Sequence, residues 1–265
     1  MQQAKDFLEE SRDLYERVGS LSNMQLKERT GFKDWSVETV VRHLHFWNRM
    51  AYWALCDESQ FKDALGPVMA ALTSGGSLPA AEANAVPEQG HELVAEWREL
   101  YETLADAYSS ADPSQRCAWV GPSMSARSCI TARQMETWAH GQEIYDLLGL
   151  RRLNTDRIRN IVILGVNTYG WTFKVRGQEP TGPMPRLELR APSGEIWTYG
   201  DVGDSGLISG LAEEFCQVVT QTRNIADTEL HCEGDGALAW MAKAQCFAGG
   251  ASEPPAPGTR FTREG

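Results

Sequence analysis

Hydrophobic residues recur at three- and four-residue steps through most of the first 150 positions, a spacing that predicts helices. Over residues 2–18, Ala4, Phe7, Leu8, Leu14, Tyr15 and Val18 fall on one side, with acids and bases opposite. Ser36 is a natural N-cap, and Val37, Val40, Val41, Leu44 and Trp47 then mark a helix running to about Cys56. A shorter helical stretch covers about 58–73 and ends at the SGGS of 74–77, while residues 78–88, with two prolines and four alanines, read as a loop. Leu93, Val94, Trp97, Leu100, Leu104 and Tyr108 stripe a third long helix over about 89–109, closed by Asp112-Pro113. The fourth spans about 130–149 and stops at Gly149, a C′ glycine. Four long amphipathic helices predict a bundle over residues 1–152.

The pattern then changes. Residues 155–169 predict one more helix, followed by a stretch punctuated by Gly170, Gly177, Pro180, Gly182, Pro183 and Pro185. LELRA (187–191) and EIWTY (195–199) flank Pro192-Ser193-Gly194 as a hairpin. A helix over 206–222, a strand over 228–232 and a helix over 236–247 follow. Strands mixed with helices predict a small α+β domain over 153–265, ending in a Gly/Pro-rich tail from 249. The fold class is therefore mainly α, a four-helix bundle followed by a small α+β domain.

Composition narrows the function classes. At 265 residues, 42% hydrophobic and 23% charged, the chain is a folded protein able to bury a core. A net charge of −11 argues against a nucleic-acid partner, which would need clustered Lys and Arg. No apolar run is long enough to span a membrane, and MQQAKDFLEESRDLYERV lacks the apolar core of a signal peptide, so a cytoplasmic location is expected. The six cysteines (56, 117, 129, 216, 232 and 246) form no CxxC pair and read as reduced thiols.

The chemistry-bearing candidates are few. Glu136 and His140, four apart in RQMETWAHGQEI, project from one helix face and can give two ligands to one divalent metal. His43, on the second bundle helix, is the candidate third ligand; such a set would leave a position open for water or substrate. The same spacing also suits a solvated or core-satisfied set. His45 points about 200° around the helix from His43 and is not expected to share its metal. His91 reads as solvated and His231 as structural. Trp35, Trp47, Trp97 and Trp138 read as core, with Trp47 and Tyr101 as candidates for a pocket mouth. GDVGDSG (200–206) reads as a turn, since its aspartates would repel phosphate.

DWSVETVVRHLHFWN (34–48) and RQMETWAHGQEI (133–144) resemble the DinB-like metal-binding superfamily, and within it the mycothiol-dependent maleylpyruvate isomerase group. LGVNTYGW (164–171), LELRAPSGEIWTYG (187–200), VVTQTRN (218–224) and AQCFAGG (244–250) are similar to an actinobacterial subgroup of uncharacterised metal-binding proteins, so the likeness covers nearly the whole chain. The resemblance implies an up-down-down-up bundle holding a divalent metal, usually zinc, on His43, Glu136 and His140. It implies mycothiol or another low-molecular-weight thiol bound near the metal and activated as thiolate. Arg223, in TQTRN, matches an arginine that holds an anionic substrate. Glu143 stands three residues past the last ligand, where the family frequently has Asp, and is the candidate for a proton-transfer role beside the metal.

The resemblance thus implies a metal-dependent enzyme acting on a small anionic organic substrate, of thiol-assisted isomerase or S-transferase type. The alternatives are a cyclase or hydrolase using the same pocket, as in secondary metabolism, and a non-catalytic small-molecule or metal-binding protein. A small-molecule substrate is the expected partner, with no nucleic acid, no membrane, and a monomer or homodimer.

Overall fold

Ser36 caps the helix that anchors the first half of the chain, its hydroxyl accepting the Thr39 amide hydrogen at 3.1 Å. The computed structural model describes residues 1–203 and 205–263. They divide into two units, Met1–Ile144 and Tyr145–Gly265. The division falls in the last turn of the fourth long helix, ahead of the 152/153 junction read from the sequence.

In the first unit, α1 (Gln2–Val18), α2 (Val37–Cys56), α5 (Gly90–Ser110) and α6 (Ala126–Leu147) are the long bundle helices. The shorter α3 (Glu58–Thr73) and α4 (Leu78–Ala85) connect α2 to α5. Most positions of the stripes read from the sequence are buried, while Leu8, Tyr15, Trp47 and Leu100 are partly exposed. Phe7 and Leu14 of α1, Leu44 and Phe46 of α2, and Trp97, Leu104 and Tyr108 of α5 have no exposed surface, nor does Trp138 of α6. Each such side chain contributes roughly 1.5–3 kcal/mol through burial, and Trp97 adds an edge contact with Tyr101 at 5.3 Å between centroids.

Two expectations in this unit need correction. Residues 78–85 are helix α4 rather than loop. Ser77 caps it at the Ala80 amide, and Pro79 sits in the first turn, where its missing N–H leaves no bond unmade. Four alanines then favour helix over coil. Helix α6 also starts at Ala126 rather than near 130, because Ser125 accepts the Ser128 amide hydrogen at 3.1 Å and begins the helix a turn earlier. Arg116–Cys117 (β1) and Met124–Ser125 (β2) pair as a small antiparallel ladder before it. Gly149, at φ +67°, ends α6 in the left-handed conformation expected of it.

The second unit is built on a four-stranded sheet ordered β4-β3-β5-β6. The hairpin predicted from the sequence is present as β3 (Arg186–Arg190) and β4 (Ile196–Tyr199), with Leu187 opposite Tyr199 and Leu189 opposite Trp197. β5 (Leu207–Leu211) runs parallel to β3, and β6 (His231–Glu233) antiparallel to β5. The predicted helix over 206–222 is therefore wrong in its first third: Leu207–Leu211 form a central strand, and only Ala212–Val219 (α9) are helical. Pairing Ile208 between Leu187 and Cys232 wins over the local helical pattern. Gly206 starts this strand at φ +100°, where a Cβ would lie 1.8 Å from the Glu233 carbonyl oxygen.

The expected single helix at 155–169 is broken into a 3-10 turn, α7 (Arg159–Asn167) and α8 (Tyr169–Lys174). α10 (Asp235–Met241) is shorter than expected. Tyr169, Phe215 and Trp240 meet edge to face among α8, α9 and α10, with centroids 5.0 and 5.7 Å apart. The tail is held by backbone and side-chain bonds, Asn224 donating to the Pro255 carbonyl at 2.8 Å and the Arg263 amide to the Asp146 carbonyl at 2.9 Å. Residues 264 and 265 of that tail, and residue 204 of the GDVGDSG turn, lie outside the described residues. Among the described residues, no helix is long and apolar enough to cross a membrane.

Candidate metal centre

Helices α2 and α6 bring His43, Glu136 and His140 to one point. The four-residue spacing of Glu136 and His140 on α6 places His140 Nε2 3.3 Å from Glu136 Oε2. His43 of α2 offers its own Nε2 to that same oxygen at 3.7 Å. One donor atom of each residue lies within 4.8 Å of the others, and among the described residues no other group of three His, Cys, Asp or Glu converges in this way. Ligands at about 2.0–2.2 Å from a tetrahedral ion stand roughly 3.3–3.6 Å apart, so the donor set suits zinc or a similar divalent ion, and the two distances to Glu136 Oε2, 3.3 and 3.7 Å, are close to that spacing. Three protein ligands leave one position open. His43 and His140 are buried, with Glu136 less so.

Both imidazoles touch the Trp35 indole, at 5.3 Å from His43 and 5.8 Å from His140, and they differ in their other partners. His43 Nδ1 faces Glu82 Oε1 at 2.8 Å, and Trp47 Nε1 donates to the same oxygen at 2.8 Å. Glu82 projects from α4 and has no exposed surface. His140 is held between two rings. Trp35 lies over it at 5.8 Å with 6° between planes, and Phe32 meets it edge-on at 5.0 Å. Both rings sit at the ends of a tight turn in which the Trp35 amide donates to the Phe32 carbonyl at 2.8 Å. Its central residues, Lys33 and Asp34, have φ of 48° and 60°, the signature of a type I′ turn. The turn is pinned at its base, where the Thr30 amide donates to the Trp35 carbonyl.

Charge in the centre follows from this packing. Burial works against a charged His43, but hydrogen bonds to Glu136 and Glu82 outweigh it and raise its pKa. His140 goes the other way, because burial dominates and the neighbouring His43 adds to it. Burial would raise the Glu136 pKa, yet its bonds with His140 and His43 hold it well below the carboxylate range. Arg133, one turn before Glu136, is buried and donates from Nε to Asn48 Oδ1 at 3.0 Å. Burial depresses its pKa, against the opposing charge of Glu136.

The remaining candidates are distributed elsewhere. Glu143 is buried on α6, one turn beyond His140 and outside the three-ligand group. Arg223, in the second unit, makes a fork-to-fork pair with Asp146, both nitrogen–oxygen distances being 2.7 Å. The face of its guanidinium that would grip a carboxylate is thus already engaged. His45 is buried, takes no part in the centre, and has a pKa lowered to about 4 by burial and by Arg49. His91 is exposed, as is His231, which reads as structural in the sequence but faces solvent beside Glu233. Tyr101 is buried against Trp97, whereas Trp47 joins the site through Glu82.

Sequence reasoning missed Glu82 and Phe32, and assigned Trp35 to the core. The available signal was an isolated acid in the alanine run AAEANA. Cys117 and Cys129 are free thiols that gather around the Tyr108 hydroxyl at 3.9 and 3.1 Å.

Comparison with known proteins bears on the family and the fold. Residues 7–145 match the model of a family described as the mycothiol maleylpyruvate isomerase N-terminal domain. Two curated relatives from Mycobacterium tuberculosis strains, both named only as uncharacterized proteins, are 34% identical over 253 residues, covering 96% of this chain and 96% of theirs. The crystal structure of the mycothiol-dependent maleylpyruvate isomerase is similar in fold, with a TM-score of 0.51 at 14% identity, covering 82% of this chain and 87% of that one.

Proposed function

Because the chain belongs to the family of the mycothiol maleylpyruvate isomerase N-terminal domain, we propose that it is a metal-dependent enzyme working on a small anionic organic substrate with a low-molecular-weight thiol as co-reactant. The reaction class is isomerisation or S-transfer, by analogy with the mycothiol-dependent isomerase whose fold it shares. The observation that carries this reading is the convergence of His43, Glu136 and His140, which no fourth His, Cys, Asp or Glu joins among the described residues.

A divalent ion in that set supplies Lewis acidity, lowering the pKa of a thiol or polarising a substrate oxygen at the open position. The chain's own groups do the rest. The Glu136 carboxylate stays ionised and gives the set its negative charge. Phe32 and Trp35 cover His140 with apolar rings and keep water from that side. Glu143 is assigned the proton-holding role at its carboxylate, on the strength of its burial one turn from His140. A role for Arg223 in binding the substrate requires that the substrate's carboxylate replace that of Asp146.

Metal analysis of untagged protein tests the reading. About one equivalent of zinc or another transition metal is expected, and His140→Ala should lose metal and turnover together. Less than about 0.2 equivalents would overturn it. Turnover of maleylpyruvate and related anions is then assayed with and without mycothiol. A rate indifferent to thiol would point to hydrolase or cyclase chemistry at the same ligands.

A further inference from the structure

The carboxylate of Glu82 is costly to bury and is not needed to hold its helix in place. It is completely enclosed, and while Oε1 takes two hydrogen bonds, Oε2 is buried with no hydrogen-bond partner. A glutamine or leucine would burden the fold less at this position. The attachment of α4 to α2 rests on other groups. Arg42 Nε donates to the Val86 carbonyl at 3.0 Å and its Nη2 to the Glu88 carbonyl at 2.9 Å. Arg49 Nη2 donates to the Ala85 carbonyl at 2.7 Å. These bonds fix the end of α4, and so the place from which Glu82 reaches the centre.

Both donors on Oε1 come from α2, one turn apart: His43 Nδ1 and Trp47 Nε1. An ionised carboxylate can only accept, so it selects the His43 tautomer that carries its proton on Nδ1. The Nε2 lone pair is then left facing Glu136 and the ligand set. The ring's rotation is fixed by the same bond, since a carboxylate held by the Trp47 indole does not swing with the imidazole.

We propose that Glu82 is a positioning residue for the metal centre: it sets the tautomer and orientation of His43 so that Nε2 is presented as ligand, with Trp47 holding the carboxylate in register. This rests on the metal reading above and adds a residue, from a helix that carries no ligand, to what determines affinity. Carboxylates behind metal-bound imidazoles are worth about 10–100-fold in metal affinity.

The experiment uses full-length protein with ¹⁵N-labelled histidine, and zinc alone as the probe. Wild type should bind one zinc, with long-range ¹H–¹⁵N correlations showing His43 protonated at Nδ1 and bound through Nε2. Glu82→Leu should still bind one zinc but about 10–100-fold more weakly, with the His43 tautomer preference lost. Glu82→Gln, which keeps an acceptor and the side-chain volume, should retain the tautomer and lose several-fold in affinity. It carries the test by itself if the leucine variant does not fold. Trp47→Phe should weaken binding less than either. Wild-type affinity and an unchanged His43 signal in the folded Glu82 variants would overturn the proposal while leaving the metal reading intact. Failure of the wild type to bind zinc or any other divalent metal would sink that reading and this proposal with it.

Discussion

The Trp35 indole and the His140 imidazole lie almost parallel, 6° apart in plane and 5.8 Å apart in centre, so one of the two histidines of the candidate centre is oriented by an aromatic face. Such a contact is worth about 0.5–1.5 kcal/mol, which corresponds to roughly 2–10-fold in metal affinity. Trp35→Ala should therefore weaken zinc binding by that factor in a competition titration, and Trp35→Phe should restore most of it. Equal affinity in all three proteins would mean that His140 is oriented without the indole.

Arg223 and Asp146 form a buried two-bond pair whose side chains are each 9% exposed. Removing one partner strands a buried charge, at about 3–5 kcal/mol. Arg223→Ala and Asp146→Ala should each lower the melting temperature markedly, whereas the apolar double replacement Arg223→Met with Asp146→Leu should recover much of the loss. If Arg223 also binds substrate, Asp146→Asn should change KM more than kcat. A melting temperature unmoved by either single variant would show the pair to be dispensable.

His45 ties acid sensitivity to a single ring. Its pKa is lowered to about 4 by burial and by Arg49, and its Nδ1 is buried without a partner. The unfolded chain takes up this proton near pH 6.5, well before the folded one does. Stability from the neutral ring is thus fully present above pH 6.5 and lost as pH falls from there through about 4. The loss attributable to this residue is about 3 kcal/mol. His45→Leu should flatten the acid limb of a denaturation profile over that interval. An unchanged slope would assign the acid response to other groups.

The Cys117 thiol is pushed down to about 7, chiefly by a hydrogen bond from Cys129, with the Tyr108 hydroxyl and Arg116 assisting. Ultraviolet thiolate absorbance should show an inflection near that pH in wild type and none in Cys117→Ser. Cys129→Ala should move it up towards the ordinary value of 9.0. A Cys117→Ser protein that keeps the inflection would place the low-pKa thiol elsewhere.

Much of the first unit was legible because its information is periodic and local. The stripe from Val37 to Leu44 is buried as read, and the Ser36 cap and Gly149 stop are where their chemistry puts them. The three residues that converge at the candidate centre are also the ones the spacing and the family motifs singled out. What stayed hidden depended on contacts distant in sequence. The prolines around 78–88 suggest a loop, though Pro79 falls where a helix tolerates it, and so the acid that meets His43 from 39 residues away went unremarked. Leu207–Leu211 is a strand only because β3 and β6 lie on either side of it. Arg223 matched a motif, but no motif records that Asp146 holds it.

The turn that carries Phe32 and Trp35 has side chains at two successive positions where the backbone favours glycine, Lys33 at φ 48° and Asp34 at φ 60°. Each costs about 1 kcal/mol relative to glycine. A search for heat-resistant variants would therefore select Lys33→Gly and Asp34→Gly early. The same replacements would give the hinge between the two aromatic rings more freedom, so hardening the protein against temperature would slacken the cover over His140.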